Sequence, residues 1–334
     1  MEKVVINTEF GDKMSGNIEE TYNRIKDTIN HTPVMISSTL NKTVGAQCFC
    51  KMESFQRTGS FKFRGAYNAI SCLSPEQKSK GVITHSSGNH AQALALASKM
   101  AGIKAVIVMP ENSPKIKVAA TKGYGAEVVF CGTKPEDREN TTNELIKKKG
   151  YTLVHSNNDL DVIDGQGTAS YELIKETGDL DYIFVPCGGG GLLSGTAFAT
   201  KNLCPNAKVI GVEPKNADDA FRSFKDGVRY LVKNPNTIAD GLRTSLGSNT
   251  FEIIRNNVDD IITVTEEEIV EAMEFLWERM KLVVEPSGAV SLAGVLSKKK
   301  NIKSKKIGII ISGGNIDLND FFELFRKKIE KETS

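Results

Sequence analysis

The stretch YIFVPCGGGGLLSGTAFATKN, residues 182–202, holds a strand pattern, a glycine run and a helix pattern in that order. Tyr182–Val185 is short, apolar and partly β-branched, which is typical of a buried strand. Four glycines follow at 188–191, and a helix pattern begins at Leu192. A strand that leads through a tight turn into a helix is the repeating unit of α/β proteins.

The same alternation continues on both sides of this unit. Strands are predicted at Val82–Thr84, Ala105–Met109, Glu127–Phe130, Leu153–Val154, Tyr182–Val185, Val209–Val212, Ile261–Val264 and Ile307–Ile311. Helices are predicted at Ala91–Met100, Ile116–Tyr124, Glu136–Lys149, Leu192–Asn202, Glu266–Met280 and Ala289–Leu296. This order predicts an α/β fold with mainly parallel sheet. No internal repeat or Pro/Gly-rich linker marks a domain boundary.

The composition is that of an ordinary globular protein, with 334 residues, 40% hydrophobic and 25% charged. A formal net charge of +2 argues against nucleic acid or a membrane as a main partner. No stretch approaches about 18 apolar residues, and Met1–Val5 lacks the apolar core of a signal peptide. The six cysteines are scattered without a Cys-x-x-Cys pair, which disfavours zinc and fits a reducing compartment. We therefore expect a cytoplasmic protein.

The glycine run is suited to an anion, because its backbone N–H groups stand at the start of a helix. Phosphate is the predicted ligand, and a tight turn without any ligand is the alternative. Gly188 and Gly190, with Glu213 after the next strand pattern, also imitate a dinucleotide site. Leu193 stands where that motif requires its third glycine, so a dinucleotide is disfavoured.

A second motif, Ser60-Phe61-Lys62-Phe63, places one lysine between two aromatic residues ahead of a helix pattern. An apolar cage lowers the pKa of a lysine amine, and such an amine is a good nucleophile toward a carbonyl cofactor. Most lysines near aromatic residues are instead solvated, with their stems on apolar surface. The motif alone leaves both interpretations open.

Two further motifs are His85-Ser86-Ser87-Gly88-Asn89-His90 and Ser312-Gly313-Gly314-Asn315. Along the chain the four motifs follow in the order lysine motif, His85–His90, glycine run and Ser312–Asn315. Together and in this order they resemble the fold type II enzymes that depend on pyridoxal 5'-phosphate (PLP). From about Thr32 to about Asp320 the chain is similar to the serine racemase and serine/threonine dehydratase branch. The resemblance implies a tryptophan synthase β-like fold with two domains, each containing a mainly parallel sheet. Residues 1–80 and 157–334 would form the large PLP-binding domain, and 81–156 the small inserted domain with the substrate loop.

The resemblance also implies roles for individual residues. The implied cofactor-binding residues are Lys62, which binds PLP covalently, and Phe61, Asn89, Gly188, Gly189, Gly190, Gly191, Leu192 and Ser312. The implied substrate-carboxylate loop consists of Ser86, Ser87, Gly88, Asn89 and His90. Lys62 and Ser87 would be catalytic and serve opposite faces of the substrate. Taken alone, the segment around Ser87 is also that of an ordinary helix N-cap.

Ser312 has a chemical consequence within this resemblance. A serine beside the pyridine nitrogen leaves that nitrogen neutral, whereas an acidic residue would keep it protonated. Racemisation and β-elimination suit the neutral ring. Glu285-Pro286-Ser287 matches a further family segment near the cofactor, and the sequence assigns it no catalytic part.

Three carboxylates cluster in Glu213-Pro214-Lys215-Asn216-Ala217-Asp218-Asp219, directly after a strand pattern. Hard divalent cations prefer such oxygens, although a solvated acidic loop is the simpler interpretation of the spacing. The resemblance implies a Mg²⁺, Ca²⁺ or Mn²⁺ site made by Glu213, the Ala217 carbonyl and Asp219. It also implies a homodimer with ATP as an activator, although the sequence contains no recognisable nucleotide-binding motif.

We therefore expect a PLP-dependent enzyme that interconverts L-serine and D-serine and also eliminates serine to pyruvate and ammonia. A threonine/serine dehydratase without significant racemase activity is the alternative. A non-catalytic PLP carrier on the same fold is a further alternative, which the intact Lys62, Ser87 and Ser312 disfavour.

Overall fold

Two separate sheets form the framework of the protein. The computed structural model describes residues 17–333 except 114, 234, 298 and 299. The strands are β1 Val34–Met35, β2 Gln47–Met52, β3 Val82–His85, β4 Ala105–Pro110, β5 Glu127–Cys131, β6 Thr152–Leu153, β7 Tyr182–Pro186, β8 Lys208–Pro214, β9 Asp260–Val264 and β10 Lys306–Ile311. The α-helices are α1 Ile18–Ile25, α2 Ser38–Val44, α3 Lys62–Cys72, α4 Pro75–Lys80, α5 Asn89–Met100, α6 Lys115–Gly123, α7 Pro135–Lys149, α8 Leu160–Thr177, α9 Gly191–Leu203, α10 Asp219–Asp226, α11 Ser248–Asn257, α12 Glu266–Met280, α13 Pro286–Leu296 and α14 Leu318–Thr333.

The larger sheet has six strands in the order β1-β2-β10-β7-β8-β9. Its neighbouring strands are parallel, apart from the antiparallel pair β1 and β2. Side chains alternate between its two faces, so Ile309 and Ile311 join one core cluster while Ile310 joins another. Because parallel strands end at the same edge, the segments after β2, β7 and β10 meet there. Those segments carry the lysine motif, the glycine run and the Ser312 motif.

The smaller sheet has four parallel strands in the order β5-β4-β3-β6. Its strands all lie between Val82 and Leu153, inside the segment that the resemblance assigns to a small domain. The domain division itself stays a prediction. At the carboxyl end of β3, the N–H of Ser86 donates to the Val108 carbonyl, and the substrate-loop motif begins there.

Three helices cross at glycines behind the larger sheet. A Cβ added to Gly195 in α9 would lie 2.3 Å from the Ile163 carbonyl oxygen of α8. A Cβ added to Gly65 in α3 would lie 2.6 Å from the Val162 carbonyl oxygen of α8. Both α3 and α9 therefore pack against α8 at backbone contact distance. This packing fixes the starts of α3 and α9, which carry Lys62 and the end of the glycine run.

The α/β prediction is confirmed, and each predicted strand and helix overlaps an observed one. The sequence analysis did not predict β2 or α8. Helix α8 is buried from Val162 to Ile174, so it lacks the alternation of polar and apolar faces that marks a surface helix. Along the part of the chain that the structure describes, no helix is both long and apolar enough to span a bilayer. Met1–Val5, on which the signal-peptide prediction depends, lies outside the described residues.

Candidate active site

Lys62 is the first residue of α3, and its amine lies deep in the candidate site. The amine donates a hydrogen bond to the Ser156 carbonyl at 2.7 Å and lies 5.0 Å from the centre of the Phe61 ring. Burial lowers the pKa of the Lys62 amine to about 8. Phe63 is fully buried and stacks on Tyr67, so the predicted aromatic cage has only Phe61 beside the amine.

The segment before Lys62 is paired with the Ser312 motif. The N–H of Phe61 donates to the Ser312 carbonyl at 3.0 Å, and the N–H of Gly314 donates to the Gly59 carbonyl at 2.9 Å. Ser312 is buried, and its hydroxyl makes a long hydrogen bond of 3.4 Å to the Ser287 carbonyl. Two motifs about 250 residues apart in sequence thus share one backbone framework.

A fully buried ion cluster supports the first turn of α3. The Arg64 guanidinium contacts Glu53 at 2.7 Å and Glu172 at 2.8 Å, and Lys51 contacts Glu172 at 2.6 Å. Removing one partner of such a cluster leaves an uncompensated buried charge, which costs about 3–5 kcal/mol. Arg64 stands two residues after Lys62, so the cluster holds the lysine-bearing turn in place.

The glycine run is closely packed on the side of Leu242 and Asn157. A Cβ on Gly188 would lie 2.8 Å from the Leu242 Cα, and one on Gly189 would lie 2.5 Å from the Asn157 Cγ. Gly190 has φ +84°, a left-handed conformation that favours glycine. Because α9 begins directly after it, the N–H groups of the first turn have no acceptor within the helix. The loop can therefore donate several hydrogen bonds to an anion.

Asn157 and its neighbour Ser156 join the lysine to the glycine run. The Ser156 carbonyl accepts from Lys62, and the Asn157 side chain donates to the Gly189 carbonyl at 2.7 Å. The Thr250 hydroxyl donates to the same carbonyl at 2.9 Å. These contacts bring a nucleophilic amine and an anion-binding loop to one place.

The substrate-loop motif forms the turn between β3 and α5. Gly88 is the N-cap of α5, and none of the described side chains caps this helix. The Ser86 hydroxyl accepts from the N–H of Gly88 at 3.3 Å, and Ser87 is half-buried. His90 is nearly fully buried and bonds to the Val154 carbonyl at 3.1 Å. Burial lowers the pKa of His90 to about 3, which leaves the ring neutral at pH 7.

Asn89 is held between Glu285, which precedes α13, and Asn315, which follows β10. Its Nδ2 donates to Glu285 Oε1 at 2.8 Å, and its Oδ1 accepts from Asn315 Nδ2 at 2.9 Å. Asn315 Nδ2 also donates to the Thr58 carbonyl at 2.6 Å. Glu285 is buried, and burial raises its pKa to about 8.

Comparison with known proteins identifies the family. The chain matches the family model described as pyridoxal-phosphate dependent enzyme over residues 25–313. It belongs to this family. The chain is 50% identical over 319 residues to the L-threo-3-hydroxyaspartate ammonia-lyase of Saccharomyces cerevisiae, covering 95% of this chain and 98% of the relative. It is 50% identical over 313 residues to the serine racemase of Dictyostelium discoideum, covering 92% of this chain and 96% of that protein.

A solved structure of maize serine racemase has a TM-score of 0.89 with 44% sequence identity. The alignment covers 95% of this chain and 98% of that one. The predicted type II PLP fold, with two mainly parallel α/β sheets, is therefore confirmed.

The candidate site fits the PLP of this family. It offers a neutralisable amine on Lys62, an anion-binding glycine loop and the buried hydroxyl of Ser312. Gln166 adds an observation that points the same way. Its fully buried amide has no hydrogen-bond partner among the described residues, and its Oε1 lies 3.0 Å from the position of a Cβ on Gly191.

The predicted metal ligands lie beside the end of β8. Glu213 is buried and accepts from the N–H groups of Ala220 and Phe221 at 3.1 and 2.8 Å. Burial, with the nearby charge of Asp219, raises the pKa of Glu213 well above its ordinary value. Neither carboxylate oxygen of Asp219 has a well-aligned hydrogen-bond partner among the described residues, and burial raises its pKa to about 6.

Two buried carboxylates, one of them without a well-aligned hydrogen-bond partner, fit a hard divalent cation. Ala217, the third predicted ligand, is buried in the same turn and would contribute its carbonyl. Across the described ranges there is no cluster of three or more His, Cys, Asp or Glu side chains that could hold a metal. The metal site thus stays a prediction that depends on one backbone oxygen.

Sequence reasoning missed three buried polar residues of the site. Asn157 contacts the glycine run, Gln166 lies behind it, and Glu285 bonds to Asn89. Only Glu285 stood in a segment that the motifs marked, and there the helix-start proline explained the pattern equally well. No local pattern in the sequence distinguishes Asn157 or Gln166 from other polar residues.

Proposed function

We propose that this protein is a serine racemase that also eliminates serine to pyruvate and ammonia. The observation that carries the proposal is the buried Lys62 amine, joined through Ser156 and Asn157 to an anion-binding glycine loop. The relatives named serine racemase, which match nearly the whole chain at about half of its positions, support the reaction.

The cofactor would be held at its two ends by different parts of the large sheet. The N–H groups of the glycine run suit its phosphate, and the Ser312 hydroxyl suits its ring nitrogen. When bound, PLP withdraws electrons from the Cα of the amino acid and so acidifies the Cα proton. The residues proposed to hold it are Lys62, Phe61, Asn89, Gly188, Gly189, Gly190, Gly191, Leu192 and Ser312.

Lys62 would move the Cα proton on one face of the substrate. Since its pKa is about 8, about half of the amines are neutral at that pH, so the group can accept a proton and return it. Ser87 would serve the opposite face, and the start of α5 at Ser86–His90 would bind the substrate carboxylate.

The second candidate function is an ammonia-lyase without useful racemase activity. It is favoured by the yeast relative named L-threo-3-hydroxyaspartate ammonia-lyase, whose 50% identity equals that of the slime-mould racemase. The threonine/serine dehydratase expected as the alternative from the sequence belongs to the same class of reaction.

One experiment separates these functions. The PLP-loaded protein is incubated with L-serine, D-serine, L-threonine or L-threo-3-hydroxyaspartate, and chiral amino-acid analysis is run beside a 2-oxo-acid assay. We expect D-serine to form from L-serine, together with pyruvate. Oxo-acid formation without any inversion would instead identify a lyase. Lys62→Ala is the control and should lose both products.

We further propose a Mg²⁺, Ca²⁺ or Mn²⁺ ion at Glu213, the Ala217 carbonyl and Asp219. The buried Asp219 carboxylate, whose oxygens have no well-aligned hydrogen-bond partner among the described residues, supports it. Resemblance alone supports a homodimer that ATP activates. The scattered cysteines support a cytoplasmic location, and the four-stranded sheet between Val82 and Leu153 supports a small domain at 81–156. Sedimentation velocity would test the dimer, and serine turnover with and without ATP would test activation.

A further inference from the structure

The Asn89 side chain has one donor above it and one acceptor below it. Asn315 Nδ2 donates to its Oδ1 at 2.9 Å, while its own Nδ2 donates to Glu285 at 2.8 Å. Turning the amide over would face its NH₂ group toward the NH₂ group of Asn315. Asn315 is itself fixed because it donates to the Thr58 carbonyl. Asn315 therefore sets the orientation of the Asn89 amide, and Glu285 accepts from the Nδ2 that this orientation presents.

These contacts connect the two sheets. Asn89 begins α5, which follows β3 of the smaller sheet, whereas Glu285 caps α13 and Asn315 follows β10 on the side of the larger sheet. The Glu285 carboxyl is packed against the Ser312 motif, since a Cβ on Gly313 would lie 2.1 Å from Oε1. The substrate-loop helix is thus hydrogen-bonded directly to the part of the larger sheet that holds the Ser312 motif.

Glu285 can accept this hydrogen bond without carrying a buried charge. Two charged groups face it, Asp240, whose like charge disfavours ionisation, and Lys117, whose opposite charge favours it. Burial is the largest influence and raises the pKa of Glu285 to about 8, so the carboxyl is mostly neutral at pH 7. A neutral carboxyl still accepts through its carbonyl oxygen. Glutamine at this position would imitate that state.

We propose that Glu285 and Asn315 are positioning residues, which fix the Asn89 amide so that its second N–H remains available to the PLP that the family resemblance assigns to Asn89. Neither residue needs to touch the substrate or take part in proton transfer. The inference rests on PLP binding at this site and does not depend on which reaction follows.

The test measures the dissociation constant of PLP for the full-length protein by absorbance titration at pH 7. Glu285→Gln keeps an acceptor oxygen and should bind PLP as the wild type does. Glu285→Leu and Asn315→Leu each remove one partner of Asn89 and should weaken PLP binding about tenfold, the scale of one hydrogen bond. Glu268→Gln is the matched control, since this carboxylate accepts from the Thr265 N–H within the first turn of α12.

The decisive comparison repeats both leucine substitutions in an Asn89→Ala background. If both residues act through Asn89, neither leucine should weaken PLP binding further, because the effects of one shared contact are not additive. If a leucine substitution weakens PLP binding in the Asn89→Ala background as much as it does in the wild type, the proposal is overturned and Glu285 only supports α13. A Glu285→Gln protein as weak as Glu285→Leu would overturn it as well. If Glu285→Leu does not fold, Glu285→Gln and Asn315→Leu still decide the question. Because the test measures PLP binding and not turnover, its outcome does not depend on whether the protein racemises serine.

Discussion

The most consequential single residue is Lys62, whose amine is hydrogen-bonded to a carbonyl while its charge is disfavoured by burial. Sequence reasoning attributed a lowered pKa to two flanking aromatic rings. In the structure only Phe61 lies beside the amine, and Phe63 belongs to the core because adjacent helical residues do not face the same way. The direction of the pKa shift was right, while half of its expected cause was wrong.

The Lys62 amine gives the cofactor-free protein a pH-dependent stability. It is protonated up to about pH 8 when folded, but up to about 10.5 when the chain is unfolded. The unfolded state therefore binds more protons between these values, so stability rises with pH across this window. Relative to Lys62→Met, the wild type should gain up to about 3 kcal/mol between pH 8 and 10.5, measured by urea unfolding. A constant difference between the two proteins would show that the folded amine titrates normally.

Ser87 distinguishes a racemase from a dehydratase. If it moves protons on the face opposite Lys62, Ser87→Ala should lose racemisation and D-serine elimination by a factor on the order of 10²–10⁴. Elimination of L-serine should survive, because Lys62 alone can remove its Cα proton. Chiral analysis and pyruvate formation from each enantiomer measure these rates separately.

The opposite result for Ser87 is equally informative. A serine that only helps bind the substrate carboxylate predicts that all reactions weaken together, mainly through KM. Equal losses of activity toward both enantiomers would therefore contradict proton transfer by Ser87 on the face opposite Lys62 and would favour the lyase. The structure weakens the simplest helix-cap interpretation, since the N-cap of α5 is Gly88 and no described side chain caps that helix.

At the scale of elements, the site depends on how closely α3, α8 and α9 pack. Gly195→Ala should force α8 and α9 apart, because its Cβ would lie 2.3 Å from the Ile163 carbonyl oxygen and 2.6 Å from the Gly167 nitrogen. Backbone atoms cannot move aside as side chains can, so we expect a loss of about 1–3 kcal/mol or more in urea unfolding.

Gly123→Ala is the matched control for this substitution. It ends helix α6, and a Cβ there would meet nothing within 4 Å. Alanine should therefore be neutral or slightly stabilising at this position. If the two variants unfold alike, the helices have room to separate and the proposed constraint is absent.

The elements that the sequence predicted share a simple physical signal, and those that it missed lack one. Parallel strands such as β7 and β10 are short apolar runs, each followed by a glycine two residues after its last residue. Strand β2 escapes this rule because Lys51 lies within it, neutralised by Glu172 through a contact between distant parts of the chain. Helix α8 buries Gln166 and Glu172, so its polar residues do not indicate an exposed face. Such cases are decided by tertiary partners that local patterns cannot reveal.

The candidate site divides in the same way. The sequence predicts the glycine run, Lys62 and Ser312, because tight turns at strand ends need particular residues. Glu285 does not, because its importance comes from Asn89, which lies nearly 200 positions away. Buried polar residues whose partners are remote in sequence are therefore the part of a site that sequence reasoning tends to miss.

At the scale of the whole molecule, the two sheets assemble motifs that no single element holds. The larger sheet supplies the lysine, the glycine loop and Ser312 at one edge, and the smaller sheet supplies the loop at Ser86–His90. The direct bond from Asn89 to Glu285 joins them. The metal loop follows β8, which pairs with β7 in the same sheet, and an ion bound there would stabilise the folded state.

Chelation should lower the thermal unfolding midpoint, and Mg²⁺ should restore it. A ligand that binds only the folded state adds about 2.7 kcal/mol at a hundredfold excess over its dissociation constant, a shift of several degrees. Asp219→Asn should abolish the shift. In chelator it should be as stable as the wild type or more so, because it removes a buried charge near Glu213. Asp218→Asn is the control, since Asp218 pairs with Arg222 in the same turn and should keep the Mg²⁺ response. If neither chelator nor Mg²⁺ changes the unfolding midpoint, Glu213 and Asp219 are structural carboxylates and do not bind a metal.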